Sequence, residues 1–146
     1  MWKVVAVVVA ACIVGVFGDK VQYKDCGSVS GTISDVDITP CPTEPCQFVR
    51  TKTINVTVDF TAKTAISTAV TKVYGFILGI KTPFPVPGDA CQDMTCPIAS
   101  GAVTSYKNSV FVKPEYPKVS VVVQWEVHDQ DDKLIICFNV PVQISD

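Results

Sequence analysis

Apolar and polar side chains alternate along much of the chain. From Thr53 to Phe60, Ile54, Val56, Val58 and Phe60 fall on one face and Asn55, Thr57 and Asp59 on the other. From Val119 to Val127 the apolar set is Val119, Val121, Val123, Trp125 and Val127, opposed by Ser120, Gln124 and Glu126. From Leu134 to Ile144 every even position is apolar: Leu134, Ile136, Phe138, Val140, Val142 and Ile144. A period of two is the signature of an antiparallel strand with one buried face. The polar run DQDD at 129–132 lies between the last two segments and predicts a hairpin. Weaker strands are expected over Val21–Lys24, Thr32–Asp37, Ile66–Leu78 and Val110–Lys113. Ile66–Leu78 alternates poorly towards its end. A helix over Ala62–Val70 is opposed by Thr64, Ser67, Thr68 and Thr71, which are weak helix formers. Seven or eight strands with turn signals between them predict an all-β fold, an immunoglobulin-like two-sheet β-sandwich.

The start of the chain has a different character. Met1-Trp2-Lys3 is a short basic lead, Val4 to Phe17 is an almost unbroken apolar run, and Gly18 ends it before Asp19-Lys20. At about 15 residues the run is shorter than the roughly 20 of a spanning helix. Residues 1–18 are therefore expected to be a secretory signal peptide, and residues 19–146 a single domain. Removing Lys3 leaves 11 basic residues against 14 acidic ones, a net charge near −3. With no basic block, nucleic acid is not an expected partner.

Secretion changes how the cysteines read. Of seven, Cys12 leaves with the signal, and an even set of six implies three disulfides. Six cysteines allow 15 pairings in principle. Cys41 and Cys46 bracket CPTEPC, and Cys91 and Cys96 bracket CQDMTC, so each pair is expected to close its own loop, leaving Cys26 for Cys137. Neither C-x4-C pair has redox-motif spacing, and with one distant histidine no zinc or other metal site is expected.

No catalytic constellation can be assembled. His128, the only histidine, reads as a surface residue beside the acidic turn, and Asp131 and Asp132 as a solvated turn rather than a calcium loop or an acid/base pair. Nucleophile-elbow and phosphate-loop motifs are absent from the sequence. Function is therefore expected in binding, with no enzyme activity and no cofactor. The stretch KTPFPVPGDACQDMTC, 81–96, wedges Phe84 between Pro83 and Pro85 and is cross-linked behind. Prolines and a staple hold such a rim in one course. VKPEYP at 112–117 offers a second rim with Val112 and Tyr116. On the residues alone, capping a solid core is the better reading of Phe84 and Tyr116. Asn55-Val56-Thr57 is the one glycosylation acceptor after residue 18, and Asn55 falls on the polar face of its strand.

A set of motifs spread from Val21 to Ile144 resembles the Niemann–Pick type C2 family of the lipid-recognition (ML) fold. They are YKDCGS at 23–28, PCPTEPC at 40–46, NVTVDF at 55–60, GFILGIKTPFPVP at 75–87, CP at 96–97, VKPEYP at 112–117, VVVQWEV at 121–127 and CFNVPVQI at 137–144. The resemblance, to arthropod members in particular, implies a seven-stranded sandwich with an apolar cavity between its sheets. It implies the pairs Cys26–Cys137, Cys41–Cys46 and Cys91–Cys96, a gate at Phe84 lined by Val112 and Tyr116, a glycan at Asn55, and a sterol hand-over role at Asp89, in a loop about one residue shorter than the family's. Inward residues expected to contribute are Val58, Phe60, Val73, Phe76, Val112, Val121, Val123, Trp125 and Ile136. The implied function is a secreted or lysosomal monomer that carries cholesterol to a membrane or an acceptor carrier protein. The alternatives are an extracellular carrier of fatty acids or semiochemicals, and a receptor-binding sandwich with a solid core.

Overall fold

The computed structural model describes residues 19–146, so the expected signal peptide at 1–18 lies outside the described residues. Ten strands follow one another: β1 (Asp19–Lys20), β2 (Lys24–Asp25), β3 (Gly31–Thr39), β4 (Cys46–Val49), β5 (Thr53–Ala62), β6 (Ala69–Ile77), β7 (Ile80–Phe84), β8 (Val103–Phe111), β9 (Ser120–Asp129) and β10 (Leu134–Ser145). They form two sheets. One has the order β1-β3-β5-β8, and the other β2-β10-β9-β6-β7 with β4 also on β10. The sheets bury their alternate apolar positions against each other, as the pattern predicted.

The β9–β10 hairpin forms where DQDD placed it, with Trp125 opposite Phe138 and Val123 opposite Val140. Its turn is closed by Asp129, whose Oδ1 accepts from the backbone N–H of Asp131 at 2.8 Å and of Lys133 at 2.9 Å. Ser30 Oγ donates to the other oxygen at 2.6 Å. A register shift between Leu134 and Ile136 brings Ile135 into the core beside Ile136. The three disulfides join Cys26–Cys137, Cys41–Cys46 and Cys91–Cys96, with Cα separations of 5.1, 4.8 and 5.6 Å.

Several elements differ from the sequence expectation: in place of one strand over Val21–Lys24 the chain makes two short ones, β1 and β2, that pair into different sheets, and β4 was not expected. The strand expected over Val110–Lys113 is instead the end of the longer β8. The rim at 81–87 begins as an edge strand, β7; Pro83 is tolerated there because only β6 pairs with it. The strand expected from Ile66 starts at Ala69, and Ile66 makes only an isolated bridge to Ile98.

The interior is filled unevenly. Towards one end, Trp125 stacks on Phe138 at 6.3 Å between ring centroids, and Tyr106 meets Trp125 edge-on at 6.3 Å. Towards the other end, the inward positions of β6 and β9 are small: Val73, Gly75, Val121 and Val123. Sheets in a sandwich stand about 10 Å apart. Aromatics span that gap, whereas facing valines and a glycine leave space.

Candidate functional site

That space is a cavity of about 190 Å³ between the sheets. The six-stranded sheet supplies Val73 from β6, Val121, Val123 and Trp125 from β9, and Val142 and Ile144 from β10. Phe48 of β4 closes one side, and the opposing sheet adds Ser109, Val110 and Phe111 at the end of β8. Over the mouth lie Phe84 to Pro87 from one rim and Val112, Lys113 and Tyr116 from the other. Polar side chains are few: Lys113, Tyr116 and the Trp125 indole, while Ser109, opposite Asn55, turns its hydroxyl to the outer face. Leaving such a volume unfilled by side chains costs a core about 4–5 kcal/mol at roughly 24 cal/mol per Å³. That is a large share of the roughly 5–15 kcal/mol that holds a domain together.

The two rims meet. The Phe84 and Tyr116 rings contact edge-on, with centroids 5.3 Å apart and planes at 67°. Phe84 stands opposite Val73 at the end of β7. The Tyr116 rim is fastened from behind by Arg50, whose Nη1 donates to the carbonyls of Pro114 and Tyr116, each at 3.2 Å. Arg50 in turn pairs with Asp146, which also takes Lys118 Nζ at 2.9 Å. These bonds from Lys118 and Arg50 hold the Asp146 carboxyl below the usual range.

The floor is polar only where it is satisfied. Tyr106 is fully buried, and its hydroxyl is bonded to Thr71 Oγ1 at 2.8 Å, Asn108 Nδ2 at 2.9 Å and Trp125 Nε1 at 3.1 Å. Burial pushes the phenol's pKa up, partly offset by these bonds. The network leaves the lipophilic face of Trp125 towards the cavity with its N–H already occupied.

Seven of the expected ligand-facing residues line this space: Phe84, Val112, Tyr116, Val73, Val121, Val123 and Trp125. Val58, Phe60, Phe76 and Ile136 do not. Val58 and Phe60 point inward but stand beside Tyr106 and Thr104 of β8, whereas the cavity is walled by the far end of that strand, Ser109–Phe111. Ile136, opposite Val127, is packed in the filled end. Phe76 points the other way: Val73 and Gly75 are buried on the inner face of β6, so Phe76, an odd number of residues away, shares the outer face with Tyr74. The strand residues missed were Phe48, Ser109, Val110, Phe111, Val142 and Ile144. Val142 and Ile144 carried a signal, since both belong to the inward set of the last strand.

Asp89 is exposed. Its carboxylate caps the short 3-10 turn Ala90–Gln92 by accepting from the N–H of Cys91 at 3.0 Å. Asn55 is exposed on the outer face of β5, between Thr39 and Ser109 of its neighbours. His128 lies on the outer face of β9, half-buried, with Nε2 2.8 Å from Glu126 Oε1.

Comparisons with known proteins agree with this geometry. The family model of the ML domain matches residues 20–144. The chain is 38% identical over 129 residues to the NPC intracellular cholesterol transporter 2 of Bos taurus, covering 87% of each chain. It is 38% identical over 145 residues to homolog a of that transporter in Drosophila melanogaster, covering 96% of this chain and 97% of the fly protein. Among solved structures, a Niemann–Pick type C2 protein from the Japanese carpenter ant superposes with a TM-score of 0.80 at 29% identity, covering 86% of this chain and all of the ant chain. The chain belongs to the ML-domain family, among the relatives of the Niemann–Pick type C2 proteins.

Proposed function

We propose that the protein carries a sterol, with cholesterol as the first candidate, in the cavity between its sheets, and passes it to a membrane or acceptor carrier without making or breaking a bond. The observation that carries this reading is an apolar cavity that opens under a single aromatic pair, Phe84 and Tyr116. Each Å² of apolar ligand surface removed from water there contributes about 25 cal/mol. The few polar side chains at the mouth, Lys113 and Tyr116, lie on the rim side and suit a ligand whose hydroxyl stays near the opening.

Hand-over needs a surface that an apolar acceptor can meet. Phe111 at the mouth is 50% exposed, and Leu78 and Ile80, at the tip of the hairpin that ends in Phe84, are 91% and 68% exposed. Asp89, two residues beyond Pro87 and bridged to Val70 of β6, adds one exposed carboxylate. The reading includes secretion or lysosomal residence, a monomer, and a glycan on Asn55, consistent with the exposed position of that side chain.

A second reading has its own support. About 190 Å³ is below the roughly 300–1,000 Å³ of pockets for drug-sized ligands, so a sterol requires the rims to part, whereas a fatty acid or a small semiochemical asks for less.

Phe84→Ala tests the site. Removing half of the closing pair should weaken binding of a fluorescent sterol by about 1–3 kcal/mol, roughly five- to 150-fold. The thermal melt should stay close to that of the parent, because the ring lies at a rim. Unchanged affinity in a folded variant would remove Phe84 from the site.

A further inference from the structure

Gly75 is a buried glycine in the interior of β6. Its backbone gives no reason for glycine, since the glycines in the left-handed region are Gly27, Gly79 and Gly101. Glycine inside a strand is disfavoured, for it packs nothing and loses the most freedom on folding. The reason lies in what surrounds it. A Cβ at this position would overlap Cε2 of Phe84 and stand 3.2 Å from its Cζ, with Cγ1 of Val121 at 3.0 Å on the other side. Phe84 is in register with Val73, two residues away on the same face, so its ring leans along the diagonal and lies over Gly75.

We propose that Gly75 is the seat of the gate. The missing side chain is the recess into which the Phe84 ring settles when the cavity is closed, and its depth sets where Phe84 meets Tyr116. The inference rests on the carrier reading of the cavity and adds to it the residue that governs how fast ligand enters and leaves. With any side chain at 75, Val121 blocks one escape, so the Phe84 ring is the group that must move. The far end of a Phe side chain can do so by rotation, at the expense of its rotamer.

The test is a pair of rate measurements on the purified protein. N-phenyl-1-naphthylamine, a neutral apolar dye that brightens when buried, is mixed with it in a stopped-flow instrument, and dissociation is then followed by chasing with unlabelled cholesterol. A ring forced off its rotamer loses about a factor of two to twelve in population. Gly75→Ala is therefore expected to raise both the association and the dissociation rate several-fold, with the dissociation constant moving less than either. In a Phe84→Ala background the same substitution should add nothing, because the ring it displaces is gone. Parent-like rates for Gly75→Ala, or an equal acceleration with and without the Phe84 ring, would overturn the seat.

Two further outcomes separate the possible failures. Should the parent protein take up neither dye nor cholesterol, the carrier reading fails. The seat is then judged by the magnetic cross-relaxation between the Phe84 and Tyr116 rings, which Gly75→Ala should weaken and whose persistence would reject it. Should Gly75→Ala reduce secreted yield, Phe84→Leu added to it is expected to restore that yield by relieving the overlap; no rescue would count against the seat.

Discussion

Replacing Cys26 with serine should lower the stability of the domain by about 2–5 kcal/mol, at the high end of the effects expected anywhere in this chain. Cys26 and Cys137 are 111 residues apart, so their bond restricts almost the entire unfolded domain. In the chain-entropy treatment, a closed loop of about 100 residues is worth roughly 4.7 kcal/mol. Cys41–Cys46 and Cys91–Cys96 each span a separation of 5, and the same relation gives about 2 kcal/mol for loops that short. The partner makes matters worse: Cys137 is buried in β10, and the substitution leaves its thiol unpaired in the core. Urea titration of Cys26→Ser, Cys26→Ser/Cys137→Ser and Cys91→Ser/Cys96→Ser should rank the midpoints in the order of these loops. An unchanged midpoint for the Cys26 variant would mean that the bond does not constrain the unfolded chain.

Filling the cavity should have the largest effect on binding. Val123 is half-buried on β9, faces the cavity and has Gly75 and Val140 as its cross-strand neighbours. Val123→Phe places a ring in the space that a ligand would occupy, and sterol binding should fall more than about hundredfold, a loss of over 2.7 kcal/mol. Stability should hold or rise, because the added ring buries apolar surface in a volume that side chains leave open. A solid core responds in the opposite sense, since extra methylenes in a full interior cost about 1–3 kcal/mol. A melting temperature raised or unchanged, together with lost binding, identifies a functional cavity. A lowered melting temperature with no change in lipid uptake identifies a packed interior.

How much of this could be read from residues alone depended on what each strand faces. β5, β9 and β10 bury one face and wet the other, so their alternation was plain and the β9–β10 hairpin followed from DQDD. β8 was mostly hidden, because its inner positions include Tyr106 and Asn108. The Tyr106 hydroxyl is satisfied by Thr71 and Trp125 on other strands as well as by Asn108, which no local pattern reveals. β7 was masked by its prolines, which an edge strand tolerates. β4 is four residues long and owes its existence to parallel pairing with β10.

The site shows the same division. Phe84, Val112 and Tyr116 were named through their motifs. Alternation tells which face a residue takes but not how far along the sandwich it sits. Val58, Phe60 and Ile136 were therefore put with the cavity, although they lie in the filled end. Phe76 was lost through parity, in a strand whose apolar residues run on both faces. The boundary between open and filled halves depends on side-chain size across strands far apart in the chain: Gly75 and the valines at one end, Tyr106, Trp125 and Phe138 at the other.

The measurement closest to the central claim is displacement of a fluorescent sterol from the purified protein, first by cholesterol and then by oleic acid. Saturable uptake, reversed by submicromolar cholesterol and only weakly by oleate, is the result expected of a sterol carrier. Preferential displacement by oleate would assign the cavity to fatty acids, and absence of saturable uptake would contradict the claim that the space between the sheets is a lipid site.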